Sequence, residues 1–323
     1  MELSCAFAPG CHTADHIVLA EELGYRRAWV YDSPALYADV WVTLGLAAKR
    51  TSSIDLATGV LIPSLRHPMV TAAAVATLCG LAPGRFTMGV GSGFTGRHTL
   101  GKRPNGWAFV EEYVRCVHDL LAGEEPLWED ARIAMMGSAG LVPDRPLRVP
   151  TVIAVAGPRG EDVARRVADG VIASRAPSGW DWSAQLTFGT VLDDGESISS
   201  ERVRRAAGHG AAVAVHALYE RAGPEAAGRI PGMDAWLESI EAVPAERRHL
   251  ETHRGHLVEL NAFDQAVVTP DLIGSLTWTG TVDELASLLG EAEAAGATEI
   301  AFQPAGDIER ELRAFARLAP LIA

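Results

Sequence analysis

Cysteine is scarce in this sequence of 323 residues: four, at Cys5, Cys11, Cys79 and Cys116, with no C-x-x-C pair. Such scattered thiols build neither a disulfide framework nor a zinc knuckle, so a reducing cytoplasm is the expected setting and no metal is expected. Basic residues are outnumbered, 28 Lys and Arg against 41 Asp and Glu, for a formal net charge of −13. Nucleic acid and anionic membrane both demand a basic face, and neither is an expected partner. No uncharged apolar run reaches the ~18 residues of a transmembrane helix. The opening MELSCAFAPG has neither the basic flank nor the apolar length of a signal peptide.

What is present is apolar residue in quantity, 48% of the chain, arranged as strands alternating with helices. Strands are expected at Leu3–Pro9, Arg27–Asp32, Ile54–Ile62, Arg85–Val90, Thr151–Gly157, Val171–Arg175, Leu186–Asp193 and Thr298–Pro304. Near-continuous apolar strands of this kind belong to parallel sheet covered on both faces. Eight is the number that closes a (β/α)8 TIM barrel, and an open doubly wound sheet is the alternative. Two irregularities stand out. APSGWDWSAQ, between the sixth and seventh strands, is too short for a full helix. A long, mostly helical tract from about 199 to 296 reads as an insertion within a single domain spanning 1–323. Apolar positions on the outer helices are compatible with a homodimer.

The stretch GVGSGFTGR contains Gly91-x-Gly93-x-x-Gly96, the letters of a dinucleotide fingerprint. That fingerprint needs a strand running through the glycines straight into a helix. Here Phe94–Gly106 holds three glycines, Gly96 among them, and a proline, so the glycines mark close backbone approach at a strand end, not a pyrophosphate grip.

Barrels carry their chemistry at the C-terminal ends of the strands. Those ends supply Phe7, Asp32, Thr58-Gly59-Val60, Ser92-Gly93, Ala156-Gly157-Pro158-Arg159-Gly160 and Arg175. No Ser-His-Asp order or Schiff-base lysine is among them. Glycines, small residues and arginines instead make a surface for a flat anionic ligand, which suits catalysis by a bound cofactor. Pro158 falls at the start of a helix whose unpaired N–H groups would face the mouth, so Gly157, Arg159 and Gly160 are expected to hold a phosphate, or else to form a tight turn. Asp32 either meets a ligand or caps the next helix. Gly59, alone inside a β-branched run, reads as a bulge or a packing accommodation. HRGHLVELN places His253 and His256 on one face of a probable helix with no Glu or Cys nearby to complete a metal set, so they are read as structural or substrate-lining.

The segments TGVLIPSLRHP, GVGSGF, TVIAVAGPRGEDVARRVADGVI and HRGHLVELNAFD resemble the luciferase-like monooxygenase superfamily, most closely its coenzyme F420-dependent branch related to methylenetetrahydromethanopterin reductase. The resemblance runs nearly end to end. It implies a (β/α)8 barrel with insertions and a deazaflavin, coenzyme F420, at the mouth, with FMN as the alternative cofactor. It implies a phosphate site at Gly157–Gly160, a non-prolyl cis peptide at Gly59-Val60 behind the ring, and further cofactor contacts from Asp32, Thr58, Ser92, Gly93, Arg97, Ala156 and Arg175. Ser33 stands where related alcohol dehydrogenases carry a histidine, which argues against secondary-alcohol oxidation. The implied activity is hydride transfer between the deazaflavin and an imine, iminium or activated alkene. Asp32 or His256 would serve as the acid, and Phe7, His253 and Asn261 would line the substrate. An FMN-dependent monooxygenase and a catalytically silent flavin-binding barrel are the alternatives.

Overall fold

The computed structural model describes residues 1–230 and 232–322. Its strands are β1 (Glu2–Phe7), β2 (Arg27–Val30), β3 (Asp55–Thr58), β4 (Phe86–Gly91), the two-residue hairpin arms β5 (Leu127–Trp128) and β6 (Ala131–Arg132), β7 (Thr151–Ala154), β8 (Gly170–Ala173), β9 (Ser183–Val191), β10 (Trp278–Gly280) and β11 (Glu299–Gln303). Eight of them pair in parallel in the order β1-β2-β3-β4-β7-β8-β9-β11, and β11 pairs back onto β1. The sheet is therefore a closed barrel. β10 adds alongside the far end of β9. All eight expected strands are present, with ends shifted by a few residues, β9 starting three residues earlier than expected at Ser183. The hairpin and β10 are additions, both too short for periodicity to reveal.

The helices that cover the first half are α1 (Thr13–Glu22), α2 (Val40–Arg50), α3 (Pro68–Leu81), the single turn α4 (Phe94–His98), α5 (Trp107–Ala122) and α6 (Pro158–Val167). No helix separates β8 from β9, as the short connection required. After β9 come α7 (Glu201–Ala227), α8 (Met233–Glu241), α9 (Ala245–Thr252), α10 (Pro270–Leu276), α11 (Val282–Ala295) and, after β11, α12 (Ile308–Ala316). Asp39 caps α2 through the N–H groups of Trp41 and Val42, so that role falls to Asp39 and not to Asp32. His12 holds the N-cap position of α1, and the Thr13 hydroxyl accepts from the Gly10 N–H.

Three apolar groups follow from this arrangement. The largest lies between the barrel and its helices, and a second is internal to the insertion, around Val215, Met233, Trp236 and Ile273. The third fills the barrel itself, where small residues Ala6, Ala57, Ala184 and Ala301 leave room for Trp29 and Trp182. Glu299, fully buried at the start of β11, closes the barrel's N-terminal end. It accepts from Trp29 Nε1 (2.8 Å) and Trp182 Nε1 (2.9 Å) and pairs with Arg27, whose guanidinium also reaches Asp55 at 3.2 Å. A carboxylate so far from water is tolerable only when its charge and lone pairs are satisfied in this way. The other end of the barrel is left open for chemistry.

Candidate active site

At the C-terminal end of the barrel a cavity of about 290 Å³ is bounded by the ends of β2, β3, β4, β7 and β8 and roofed by the insertion. β2 ends in Tyr31 and Asp32, and β3 runs into Gly59-Val60, whose peptide bond is cis. Gly59 cannot carry a side chain, because a Cβ there would lie 2.9 Å from Trp29 Cβ. The glycines of GVGSGFTGR have the same kind of cause. A Cβ on Gly89 would lie 2.1 Å from the Thr58 carbonyl oxygen, one on Gly91 2.7 Å from Val60, and one on Gly96 2.4 Å from Ile62. They let β4 and α4 close around the cis bulge.

Asp32 is buried, and its Oδ2 is held 2.6 Å from Arg66 Nη1 and 3.4 Å from the Ile62 N–H. Burial raises its carboxyl above the usual range, against the opposing pull of Arg66 and the Ile62 amide. Arg66 also reaches Asp39 at 3.2 Å. Arg66 was not anticipated: it lies in a turn 34 residues from its partner, and nothing in the local pattern ties the two.

The insertion is fastened to the mouth by backbone contacts. The Tyr37 hydroxyl donates to the His256 carbonyl (2.5 Å), and Gln303, which accepts from Tyr31 (2.7 Å), donates to the Leu257 carbonyl. His256 and Leu257 consequently form part of the cavity wall, together with Arg221 of α7. His256 Nε2 lies 3.2 Å from the Thr95 hydroxyl. Burial above all, with His216, His253 and His209 nearby, holds its imidazole well below the ordinary range, so it is neutral at physiological pH. It is therefore not an imidazolium acid, which corrects one of its two expected uses.

Other expected residues divide. Ser92, Gly93 and Ala156 line the cavity with Gly59, Val60 and Asp32. Gly157 caps α6 with φ +154°, and nothing lies within 4 Å of where its side chain would be, so the approach to this helix terminus is open. Pro158 follows at the first helical position; Arg159 is exposed, whereas Gly160 is buried against the Trp107 ring, 2.6 Å from a Cβ built there. Arg175 is exposed beyond β8. Arg97 is committed to Ser64 and the Arg103 carbonyl, leaving Lys102 and Arg103 as cations of that loop with no ion pair among the described residues.

Four expectations need correction. Thr58 is fully buried, its hydroxyl spent on both the N–H and the C=O of Gly89, each at 2.9 Å, so it contacts no ligand directly. Phe7 is buried and faces a separate cleft of about 760 Å³ on the far side of Leu257. Asn261 bridges backbone: its Oδ1 accepts from Asp264 N at 2.8 Å, and its amide reaches carbonyls of Glu251, Thr252 and Arg254 at 3.4 Å. His253 and His256 are not on a helix, since α9 stops at Thr252 and a turn through Gly255 (φ +68°) carries them. His253 lies behind the cavity wall, in contact with His98, His216, His256 and Glu220.

The profile of the luciferase-like monooxygenase family matches residues 9–299. The chain belongs to this family. Among curated relatives of this luciferase-like chain, the F420-dependent glucose-6-phosphate dehydrogenase of Beutenbergia cavernae is 36% identical over 179 residues, 49% of this chain and 51% of that protein. The chain thus spans about half the length of the curated relatives it matches. Solved structures cover it whole. The coenzyme F420-dependent tetrahydromethanopterin reductase of Methanopyrus kandleri superimposes with a TM-score of 0.68 at 19% identity, over 98% of this chain and 97% of that one. An F420-dependent secondary alcohol dehydrogenase, solved with an F420–acetone adduct, gives 0.67 at 18% identity over 100% and 99%. At such identities the likeness is one of fold, and it is the luciferase-like barrel described above.

Proposed function

We propose that this chain is a coenzyme F420-dependent oxidoreductase that moves a hydride between the deazaflavin and a small organic substrate held at the barrel mouth, within one barrel unit spanning 1–323. The observation that carries the reading is the pairing of Gly59-Val60, where no side chain fits on Gly59, on one wall with the open N-terminus of α6 at the rim. The residues fit the cofactor. Gly157 leaves its approach clear, the Arg159 N–H is left for an anion while those of Gly160 and Glu161 turn back to the Gly157 carbonyl, and the Arg159 side chain adds a charge. The relatives named above are described as F420-dependent.

Bound there, the deazaflavin supplies a ring carbon that gives or takes hydride. The chain's own residues do the rest. Val60 and Ile62 offer an apolar backing, and the roof formed by His256 and Leu257 keeps water from the reacting carbons. One wall group handles the proton: Asp32, whose carboxyl burial raises, releases it to the nitrogen of an imine, or to the alkene carbon that does not receive the hydride, and takes it back in the reverse direction. Lys102, Arg103, Arg159 and Arg175 stand at the ends of β4, β7 and β8, three neighbouring strands, and suit the acidic tail of the cofactor in a protein of charge −13.

The test is titration of the purified protein with F420 and with FMN, followed by absorbance and fluorescence, with oxygen consumption recorded on reduction. Tighter binding of F420 and no oxygen uptake are expected. Preference for FMN with oxygen uptake would replace this reading by a monooxygenase. Binding without turnover across imine, alkene and alcohol panels would leave a silent flavin-binding barrel.

A further inference from the structure

Behind the His256 wall lies a cluster that hydride transfer does not use. α7 places His216 and Glu220 one turn apart, and the turn after α9 places His253 and His256 against them. Ligand nitrogens of His216, His253 and His256 all lie within 4.8 Å of one another, and all three residues are buried. Their ring centroids are 5.3–5.9 Å apart.

The hydrogen bonding of these rings is half complete. His216 Nε2 is 2.8 Å from Asp264 Oδ1, a carboxylate oxygen also contacted by Trp236 Nε1 at 3.1 Å. His256 Nε2 is turned to Thr95. Among the described residues the opposite nitrogens, His216 Nδ1 and His256 Nδ1, are buried without a hydrogen-bond partner, as is His253 Nδ1, and His253 Nε2 has only the Glu220 carboxylate, at 3.5 Å. Buried polar atoms of this kind normally find a partner, and several converging orphans call for an explanation. A carboxylate on the far nitrogen of a histidine is how metal-ligating imidazoles are oriented. Three imidazoles suit a borderline ion of the zinc type, while calcium and magnesium require oxygen cages.

We propose that His216 Nδ1, His253 and His256 Nδ1 bind one divalent transition-metal ion of the zinc type, with Glu220, 3.5 Å from His253 Nε2, as the group nearest the fourth position. Ligands on a tetrahedral ion with metal–nitrogen bonds of ~2.0–2.1 Å sit roughly 3.4 Å apart, so the set must contract by about an ångström. The turn Gly255–Leu257 is the part free to move. The ion would pin that turn to α7 and hold His256 in place at the cavity wall. The absence of a completing Glu near HRGH, read along the sequence, is thereby corrected: Glu220 and His216 come from 30 to 40 residues upstream.

The experiment uses the full chain, cofactor-free, stripped with a chelator and titrated with Co(II) and then Zn(II). One equivalent of Co(II) is expected, giving the visible bands of a four-coordinate imidazole site without thiolate charge transfer, and Zn(II) should displace it and raise the Tm. His253→Gln should weaken Co(II) binding at least tenfold, while His98→Gln, which alters only the neighbouring His98–Glu220–His253 group, should leave it within twofold. A stripped parent that binds neither ion at one equivalent overturns the proposal and leaves a polar pocket for water. Equal loss in both variants moves the ion to the neighbouring group and overturns the ligand set. Should His253→Gln fail to fold, the stoichiometry and band pattern of the parent decide. Because no deazaflavin is present, this outcome is independent of the cofactor reading.

Discussion

Asp32 and Arg66 meet 2.6 Å apart at the rim of the cavity, one almost wholly buried and the other with its side chain 15% exposed. Arg66 opposes the burial that drives the Asp32 carboxyl toward its neutral form, and burial remains the larger effect. Because the folded carboxyl stays raised, Asp32 makes its full contribution to stability only when protonated. That contribution is lost as pH rises through the folded value.

Arg66→Met should therefore be destabilising at neutral pH by about 3–5 kcal/mol, the usual result of removing one member of a buried pair. The double variant Asp32→Asn, Arg66→Met should recover most of that loss, since no buried charge is then left alone. Urea unfolding of parent, single and double variants measures it. Equal loss in single and double variants would mean that Arg66 acts through packing and not through its charge.

The glycines around the bulge should rank by what they touch. Gly89→Ala drives a Cβ against a backbone oxygen at 2.1 Å, which cannot rotate away, whereas Gly96→Ala meets the tip of Ile62 at 2.4 Å, which can. Overpacking of the second kind costs about 1–3 kcal/mol, and the first should exceed it or prevent folding. Thermal unfolding of the two variants decides the order.

Glu21 predicts a pH dependence. Burial raises its carboxyl, but the N–H groups of Ser52, Ser53 and Ile54 (2.6–3.0 Å) and the Ser53 hydroxyl (2.9 Å) outweigh that and bring it down to about 2. A depressed carboxyl contributes stability that is complete above the unfolded value, near 4.5, and is lost as pH falls toward about 2. In Glu21→Gln that part of the acid-induced loss should vanish, so the stability curves of variant and parent should converge as pH falls from 5 to 2. Parallel curves would deny Glu21 this role.

The exposed cations give a salt-sensitive expectation that rests on the cofactor proposal. Replacing Lys102, Arg103 and Arg159 together by alanine should weaken binding of long-tailed F420 several-fold at low ionic strength, each contact being worth ~0.2–1 kcal/mol. Adding Arg97→Ala should change little more, because Arg97 is already tied to Ser64 and the Arg103 carbonyl. Fluorescence titration at two salt concentrations, with a tail-less deazaflavin as control, reads the effect. Unchanged affinity for the tailed form would remove the tail contact.

Eight strands, their parallel pairing and the missing helix before β9 are legible in the sequence alone. Strands buried on both faces must be apolar throughout, and a nine-residue link has no room for a helix plus its turns. Gly59 is legible for a related reason, since a lone glycine among β-branched residues marks a spot where a side chain cannot fit. The open helix terminus at Gly157-Pro158 follows from local rules as well. Partners across the chain do not. Periodicity reports which face of an element is buried, not what it is buried against. Only the docking of α7 under the Gly255–Leu257 turn could bring His216 and Glu220 to His253 and His256. Only the closure of β3 against β4 could turn Thr58 from a ligand contact into a strand clamp. Phe7 turns to its separate cleft for the same reason, since the walls of that cleft come from residues 201 to 308, whereas Asn261 is held by backbone 3 to 10 residues away in a loop whose turns no periodicity encodes.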